Sequence, residues 1–276
     1  MNLMNFKRPQ KTAIDITLGN NQGRAQETDA SSPIKRMYED RIEGISDIIL
    51  NVLQSSMVGI VYALEAKDEY SSEHSERVSI MSERLAIALG LKPSEVKAVS
   101  LASSVHDIGK IGIPDSVLLA PRRLTDEEFA IMKKHPEIGA KIIEKTVDSE
   151  HMFIKDAFVV SDIQKRFIKM VGDGMLHHHE RWDGKGYPDG LKGEEIPYIS
   201  RIIAVCDSTD AMLSSRVYRK ALSEEECKRE IRKNAGVMYD PEVAIVFLDK
   251  WDEIVGDIYH SKASETDEDF LKNDVY

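Results

Sequence analysis

The sequence predicts an all-α protein with one principal domain. Apolar residues recur at intervals of three and four along most of the chain, which is the period of an amphipathic helix. The alternation typical of a half-buried strand is scarce, and no internal repeat is present. With 276 residues and 42% hydrophobic content, the chain can bury one sizeable core and leave room for an appendage.

The two ends of the chain differ in composition from its middle. Residues 1–32 are rich in Asn, Gln, Thr and Ser and show no helix or strand period, so we expect a flexible tail. Apolar residues at helical spacing then favour one or two helices over residues 33–62. We expect residues 63–255 to form the main domain and the acidic residues 256–276 to form a solvated tail.

Capping and breaking residues mark the helix boundaries of the main domain. The turn Gly90–Pro93 ends one predicted helix and begins the next, which delivers His106 and Asp107 at its C-terminal end. Thr125 and Glu128 have the spacing of a capping box for a short helix. Later apolar periods predict further helices up to the C-terminal tail, so the helical class holds along the domain.

Charge and cysteine content narrow the class of partner. The formal net charge of -11 at pH 7 repels nucleic acid and anionic membranes, so an anionic substrate needs local cations. The sequence has no secretory core at its start and no run of roughly 20 apolar residues that would span a bilayer. Cys206 and Cys227 predict reduced thiols. We therefore expect a cytoplasmic protein that binds neither polymeric nucleic acid nor membrane.

Histidines and aspartates in polar motifs predict a metal centre. Five of the eight histidines lie in such motifs, as His106 does in HDIGK and His135 in KKHP, and two aspartates accompany them. A single histidine would more simply be a core or capping residue, but five together favour ligation. Mixed imidazole and carboxylate ligands suit Fe, Mn, Zn or Ni. Two such ions about 4 Å apart can share a hydroxide, so we expect hydrolysis of a phosphodiester.

Several longer segments then make the prediction specific. HDIGK, KKHP, HHERWDGKGYP, IPYISRIIAVCDSTDAM and SSRVYRKAL resemble the bacterial HD-GYP family of cyclic-dinucleotide phosphodiesterases, and the match runs from about Leu64 to Leu248. The family is an all-α group within the HD superfamily of metal-dependent phosphohydrolases. The resemblance implies an HD-domain helical bundle extended by the GYP loop and C-terminal helices. The segment at about 147–174 is longer than is usual in the family, and a lid, a dimer contact or added scaffold would each account for it.

The resemblance also implies a ligand set. In it, His74, His106, Asp107 and Asp207 bind one metal ion and His135, His178 and His179 bind a second, with Asp107 bridging. Some family members have a glutamate four residues before the first histidine and recruit a third metal, but this chain has Tyr70 there. We therefore expect two ions, iron or manganese, with nickel and zinc as alternatives. Glu69 and Glu73 are close in sequence to Tyr70 but point in other helical directions.

The same resemblance assigns substrate and supporting roles. Lys110 would place its ammonium on the scissile phosphate, where negative charge develops. Substrate binding is implied for Gly186 and Tyr187 of the GYP turn and for Arg216 and Arg219. Supporting roles that orient the ligands or the turn are expected for Glu180, Asp183, Arg77 and Asp210. The substrate roles have plainer alternatives: a solvated loop lysine for Lys110, an ordinary turn for the GYP residues and a solvent-facing basic patch for the two arginines.

The predicted function is metal-dependent hydrolysis of cyclic di-GMP by a metal-bridging hydroxide. The product would be linear pGpG, and further cleavage to GMP is left open. Hydrolysis of 3′,3′-cyclic GMP-AMP is an alternative, because the same chemistry opens either ring. A non-catalytic module that binds a cyclic dinucleotide or a diguanylate cyclase domain is a second alternative. The candidate partners are the cyclic dinucleotide, a diguanylate cyclase domain and a second copy of the chain in a homodimer.

Overall fold

The computed structural model describes residue 52 and residues 55–66, 73–147, 162–215 and 220–259. The chain divides into two units after Ile48, and every described residue belongs to the second. In these ranges the chain is helical, and its β pairing is limited to an isolated bridge between Ala235 and Tyr239. The predicted all-α class is confirmed.

The helices are numbered in chain order. The first, α1, covers residues 55–65. It is followed by α2 (His74–Ala88), α3 (Pro93–Ser104), α4 (Asp115–Leu118), α5 (Asp126–Met132), α6 (His135–Val147), α7 (Asp162–Leu176), α8 (Tyr198–Leu213), α9 (Glu224–Asn234), α10 (Pro241–Asp249) and α11 (Trp251–Ile254). Short 3-10 helices occupy Ile108–Gly112, after α3, and Gly193–Glu195, before α8.

The core lies between α2, α3, α7 and α8. Helix α3 packs against α2 and α7, and α8 packs against the same two helices. The inward faces carry fully buried apolar side chains such as Met81, Val99, Met175 and Ile202. Helix α6 packs on α7 and on the 3-10 helix that follows α3, while α9 and α10 pack on α8 and α11 packs on α2. Burial of these faces supplies most of the stability of such helices.

The helix boundaries marked in the sequence occur where they were predicted. Gly90, just after α2, has a φ of 76°, the left-handed conformation that glycine adopts without strain. Pro93 is the first residue of α3. Thr125 and Glu128 form both hydrogen bonds of a capping box at the start of α5. His135 opens α6.

Other predicted segments lie wholly or partly outside the described residues. This applies to the predictions for residues 1–51 and to the stretch 148–161 within the long segment. Of the expected acidic tail, the structure describes residues 256–259, where Tyr259 is partly buried. No helix in the described ranges is both long and apolar enough to cross a membrane.

Helix ends converge to form the site. Helices α2 and α6 begin at His74 and His135, and His106 and His178 each follow the C-terminal end of a helix, α3 and α7 respectively. Asp207 lies within α8. The C-terminal ends of α3 and α7 carry partial negative charge from unpaired carbonyls, which favours a cation nearby. The fold therefore collects donors from distant parts of the sequence at one junction.

Candidate metal centre

Seven side chains meet at this junction in overlapping groups. In each group, one nitrogen or oxygen atom per residue lies within 4.8 Å of the others. The groups are His74 with His106 and Asp207, His135 with His178 and His179, and His106 with Asp107 and His178. All seven residues that the family resemblance implies as ligands are therefore brought together by the fold.

Asp107 lies between the two histidine groups. Its Oδ1 is 3.2 Å from Nε2 of His135, whereas its Oδ2 is 3.4 Å from Nε2 of His106 and 3.7 Å from Nε2 of His74. Nζ of Lys110 is 2.6 Å from the same Oδ2. Burial raises the pKa of Asp107, but the Lys110 ammonium and the nearby histidines outweigh burial and hold the pKa well below its usual range. Asp107 is therefore an anion with one oxygen turned to each group.

Three of the imidazoles are oriented by backbone carbonyls. Nδ1 of His106, His135 and His178 donates to the carbonyl three residues earlier, over 2.7, 2.8 and 2.6 Å respectively. These carbonyls belong to the last turns of α3, α5 and α7, where a helix leaves carbonyls without an internal partner. The proton on Nδ1 leaves the Nε2 lone pair to face the cluster. Local backbone geometry thus fixes both the ring orientation and the tautomer.

His74 is oriented by a carboxylate instead. Its Nδ1 donates to Oδ2 of Asp210 over 2.7 Å, and Asp210 is buried. Arg77 donates to the same carboxylate from Nε and Nη2, over 2.5 and 3.1 Å, and the Tyr259 hydroxyl donates to its Oδ1 over 2.5 Å. Burial raises the pKa of Asp210, but the bonds from His74 and Arg77 outweigh burial and lower the pKa below its usual range. These contacts support the orienting role expected of Arg77 and Asp210.

The spacing of the ring nitrogens fits bound cations. Nε2 of His74 is 3.3 Å from Nε2 of His106, and Nε2 of His135 is 3.4 Å from Nε2 of His178. Because each ring carries its proton on Nδ1, two lone pairs face each other in both pairs, which is repulsive unless a cation lies nearby. Ligands about 2.1 Å from one ion stand roughly 3.0–3.4 Å apart, so the cluster suits transition-metal coordination.

Burial keeps most of these imidazoles neutral. It lowers the pKa of His106, lowers that of His178 well below its usual range and lowers that of His179 to about 4, against the pull of the nearby aspartates. Burial also lowers the pKa of His74, but Asp210 and Asp207 outweigh it, so the net shift is upward. Neutral imidazole is the form that binds a metal, so the group around His178 and His179 is ready to accept a cation at neutral pH.

The GYP turn packs directly on the cluster. The ring of Tyr187 stacks on that of His179, with centroids 4.8 Å apart and planes at 37°. A Cβ on Gly186 would lie 2.4 Å from Cα of Glu180, so a side chain there would displace the turn. Gly184 has a φ of 78°, in the left-handed region. The two glycines are therefore explained by close approach and backbone conformation, and Tyr187 presents an aromatic face at the mouth of the site.

We expected two carboxylates, Glu180 and Asp183, to orient both the histidine pair and the turn that follows it. Oε1 of Glu180 accepts the backbone N–H groups of Asp189 and Gly190 over 2.7 and 2.9 Å. Asp183 accepts two hydrogen bonds from the Arg181 guanidinium, over 3.0 and 2.8 Å. Among the described residues, neither carboxylate bonds to a histidine of the cluster. Their expected contact with the following turn is present, and the expected contact with the imidazoles is absent.

Of the other residues expected to act on the substrate, the structure describes some and leaves others outside its described ranges. Lys110 lies at the cluster, with its side chain one quarter exposed. Arg216 and Arg219 lie outside the described residues, as does Tyr70, on which the expected metal count depends. Phosphate binding by the two arginines, which the family resemblance implies, stays a prediction.

Some residues near the centre were missed by sequence reasoning. Phe129 faces the Tyr187 ring edge-on at 6.4 Å, and Nζ of Lys133 lies 5.3 Å from the centre of the Phe129 ring. The spacing of Phe129 and Lys133, four residues apart on a helix, was the available signal. Glu65 accepts the backbone N–H of Ser75 over 3.1 Å and lines a cavity with His74 and Asp107. No local pattern marks Glu65.

Comparison with known proteins agrees with the geometry. The model of the HD domain family matches residues 61–243. A protein of Thermotoga maritima named cyclic di-GMP phosphodiesterase is 39% identical over 236 residues, which cover 86% of this chain and 55% of that protein. A Vibrio cholerae protein named 3′3′-cGAMP-specific phosphodiesterase 2 is 34% identical over 70% of this chain and 34% of its own length. The chain thus spans about half the length of the first relative and about a third of the second.

A solved structure shows the same fold. An HDG"Y"P protein from Bdellovibrio bacteriovorus superposes with a TM-score of 0.51 over 78% of this chain and 67% of that one, at 17% sequence identity. The likeness is one of architecture, since identity is low. Together with the family match over residues 61–243 and the HDIGK, KKHP and DGKGYP segments around one cluster, it leads to one assignment. The chain belongs to the HD domain family and, within it, to the HD-GYP family.

Proposed function

We propose that this protein is a metal-dependent phosphodiesterase that hydrolyses cyclic di-GMP to linear pGpG. The observation that carries the proposal is the position of Asp107, whose two oxygens face two separate groups of histidines. A carboxylate so placed suits a bridge between two cations, the arrangement used in many hydrolases of phosphate esters. The name of the Thermotoga relative supports cyclic di-GMP as the substrate.

The donor set supports a particular division of the ions. One ion would be held by His74, His106 and Asp207, the other by His135, His178 and His179, and both by Asp107. We propose iron or manganese, with nickel and zinc as alternatives, because imidazole and carboxylate ligands occur together. Two bound ions would supply a water nucleophile of lowered pKa and neutralise charge on the phosphoryl oxygens.

Side chains around the centre would position and stabilise the substrate. The ammonium of Lys110, held at the cluster by Asp107, would stabilise negative charge on the scissile phosphate. Tyr187 and Phe129 offer aromatic faces for a guanine base, and Lys133 adds a cation beside them for a phosphate. The family resemblance assigns Arg216 and Arg219 to the phosphates of the cyclic dinucleotide. Local cations are needed because the chain carries a net charge of -11.

A second candidate substrate is 3′,3′-cyclic GMP-AMP. The Vibrio cholerae relative carries that specificity in its name and is 34% identical to this chain. The phosphodiester chemistry is the same for both rings, so base recognition alone would separate them. A purely binding role is disfavoured, because the site contains the complete set of seven donors, with His106, His178 and His179 neutral and Asp107 ionised.

The cytoplasm remains the proposed compartment. Cys206 and Cys227 are both buried and free. Burial raises the pKa of each thiol to about 12, so both are protonated and inert at neutral pH. Because both cysteines are free thiols, this fold needs no disulfide and therefore no oxidising compartment.

A product assay tests the function. Purified protein loaded anaerobically with Fe(II) or Mn(II) is mixed with cyclic di-GMP and, separately, with cyclic GMP-AMP, and products are separated by chromatography. We expect pGpG to accumulate from cyclic di-GMP, and its later conversion would show whether cleavage proceeds to GMP. Faster turnover of cyclic GMP-AMP would assign the alternative substrate. Full metal occupancy with no turnover of either ring would overturn the enzymatic proposal.

Substitution of two central ligands tests the site itself. His106→Ala combined with Asp107→Ala removes donors from both groups, so metal uptake and cleavage should both be lost while the helical circular dichroism is kept. Asp189→Asn is the matched control, because Asp189 pairs with His177 and has a side chain that is 56% exposed. Wild-type turnover in the double variant would contradict the assignment.

A further inference from the structure

His74 differs from its neighbours in what holds its ring. Three other imidazoles of the cluster donate to carbonyls of the helix that immediately precedes them. His74 donates to Asp210, which lies 136 residues away in α8. A backbone carbonyl in a helix end moves little, whereas a carboxylate can rotate about its side-chain torsions unless other groups hold it. The orientation of His74 therefore depends on whatever holds Asp210.

Arg77, Tyr259 and Ser214 also donate to Asp210, with the Ser214 hydroxyl 3.4 Å from Oδ2. Arg77 binds both oxygens, and the Tyr259 hydroxyl donates to Oδ1 over 2.5 Å. The Arg77 guanidinium also lies over the Tyr259 ring, 5.8 Å from its centre. Asp210 is 1% exposed, so water cannot replace a lost donor without opening the core. Oδ1 of Asp210 thus accepts from Arg77, which belongs to α2, and from Tyr259, which lies outside that helix.

We propose that Tyr259 is a positioning residue that fixes His74 through Asp210 and so sets the affinity of the metal group containing His74. This inference rests on the metal centre proposed above. It gives a role at the site to residues just after α11, a part of the chain in which the motifs of the family do not occur. The hydroxyl acts by limiting rotation of the carboxylate, which keeps the Nδ1 proton of His74 engaged and its Nε2 lone pair aimed at the cluster.

The effect should be confined to one of the two ions. His135 and His178 take their orientation from the carbonyls of Met132 and Met175 and, among the described residues, neither ring bonds to Asp210, Arg77 or Tyr259. Loss of the Tyr259 hydroxyl should therefore weaken the group of His74, His106 and Asp207 and leave the group of His135, His178 and His179 unchanged. A general loss of stability would weaken both groups together, so the asymmetry separates positioning from simple packing.

The expected size follows from other metal sites. Residues that orient a ligating histidine commonly change metal affinity by about 10- to 100-fold when they are removed. Tyr259→Phe leaves Arg77 on Asp210, so we expect a change near the lower end, roughly tenfold for one ion. Asp210→Asn removes the charge that holds the Nδ1 proton, so its effect on the same ion should be larger.

The experiment is a metal titration of the full-length chain. Metal-free protein is titrated with Mn(II), and the free ion is followed by electron paramagnetic resonance. We expect two sites in the wild type and, in Tyr259→Phe, one site weakened roughly tenfold beside one that is unchanged. Tyr62→Phe is the matched control, because Tyr62 is 50% exposed in α1 and should leave both affinities unchanged. Thermal unfolding of each metal-free variant reports any loss of stability.

A double-mutant cycle tests the route through Asp210. If Tyr259 acts through that carboxylate, adding Tyr259→Phe to Asp210→Asn should weaken metal binding no further. Additive losses, or equal weakening of both ions in Tyr259→Phe, would overturn the inference. So would unchanged affinities in Tyr259→Phe while the wild type binds two ions. A wild type that takes up no metal would instead overturn the proposed centre, and this inference with it.

Discussion

Gly109 of the HDIGK motif shows how one residue can fix a distant ligand. A Cβ at this position would lie 1.9 Å from the carbonyl oxygen of His135 and 2.5 Å from the backbone nitrogen of Gly139. The 3-10 helix Ile108–Gly112 therefore rests backbone against backbone on the first turns of α6. The glycine is needed for that approach, and the approach places Asp107 beside His135.

Gly109→Ala should destabilise the fold and disturb the centre together. The added methyl meets backbone, which cannot move aside as a flexible side chain can, so we expect a loss of at least about 2 kcal/mol in the free energy of unfolding. Gly172→Ala in α7 is the control, because a Cβ there meets nothing within 4 Å. It should instead stabilise by about 0.5–1 kcal/mol. Urea denaturation measures both, and equal values for the two variants would contradict the packing argument.

The residues that meet in the cluster were predictable because they lie in segments that resemble motifs of a known family. His106 with Asp107 and His178 with His179 were found this way. Tyr259 was not, since it lies beyond the last motif and acts through a contact that only the folded chain creates. Residues that are far apart in the sequence and contact each other only in the fold have no fixed spacing that a sequence pattern could reveal.

Helix ends are the elements that carry the site, and the start of α2 is unusual among them. Its N-cap residue, Glu73, has a φ of 67° and makes no capping bond with its side chain. Glu65, from α1, accepts the buried N–H of Ser75 in the first turn instead. Glu65 is buried and lies beside His74, so it both caps the helix and borders the cluster.

Glu65→Ala should loosen the start of α2. The buried N–H of Ser75 would lose a charged acceptor, which costs about 1.5–3 kcal/mol in the free energy of unfolding. Glu65→Gln keeps a carbonyl acceptor of the same length and should recover most of that loss. Urea unfolding of the two variants compares them directly. If Gln were as unstable as Ala, the carboxylate charge and not the cap would be the cause.

The elements themselves were largely predictable. Apolar residues spaced by three and four, together with Gly90, Pro93 and the Thr125–Glu128 box, located the helices of the core. The acidic tail was predicted from charge alone. Residues 256–259 follow α11 and remain in the fold through Tyr259, whose ring and hydroxyl bury against Arg77 and Asp210. Composition does not report such a contact.

At the scale of the whole molecule, the buried imidazoles make the stability of the metal-free protein depend on pH. Burial lowers the pKa of His179 to about 4 and lowers those of His106 and His178. Unfolding returns each to roughly 6.5, so the unfolded chain binds more protons than the folded chain between about pH 4 and 6.5. His74 has a raised pKa, so its contribution is present below about pH 6.5 and is lost as pH rises through its folded value.

The free energy of unfolding of the metal-free protein should therefore rise between pH 5 and 6.5. Each histidine with a lowered pKa adds up to about 1.4 kcal/mol per pH unit, and three such groups outweigh the single opposing one. Urea denaturation in the presence of a chelator measures the slope. His179→Gln removes one of these three histidines, so the slope should fall by up to about 1.4 kcal/mol per pH unit. A slope that is flat or negative over this range would show that the cluster is not buried and neutral.

Metal should stabilise the folded chain strongly. Ions that bind the folded state alone add about 2.7 kcal/mol per site at a free concentration 100 times the dissociation constant. The thermal midpoint should accordingly rise with Mn(II) concentration and fall when a chelator is added. His106→Ala with Asp107→Ala should lose this dependence. A wild-type midpoint that ignores metal would contradict the proposed centre.

The convergence of helix ends on one junction also bears on how long the protein lasts in a cell. Ions there would join residues far apart in sequence, 32 positions for His74 and His106 and 43 for His135 and His178. Such links act as cross-links, and a cross-linked chain opens to proteases only after the ion has left. When metal is scarce, unloaded molecules would be degraded faster than loaded ones. The supply of metal would then govern the abundance of the protein as well as its turnover of substrate.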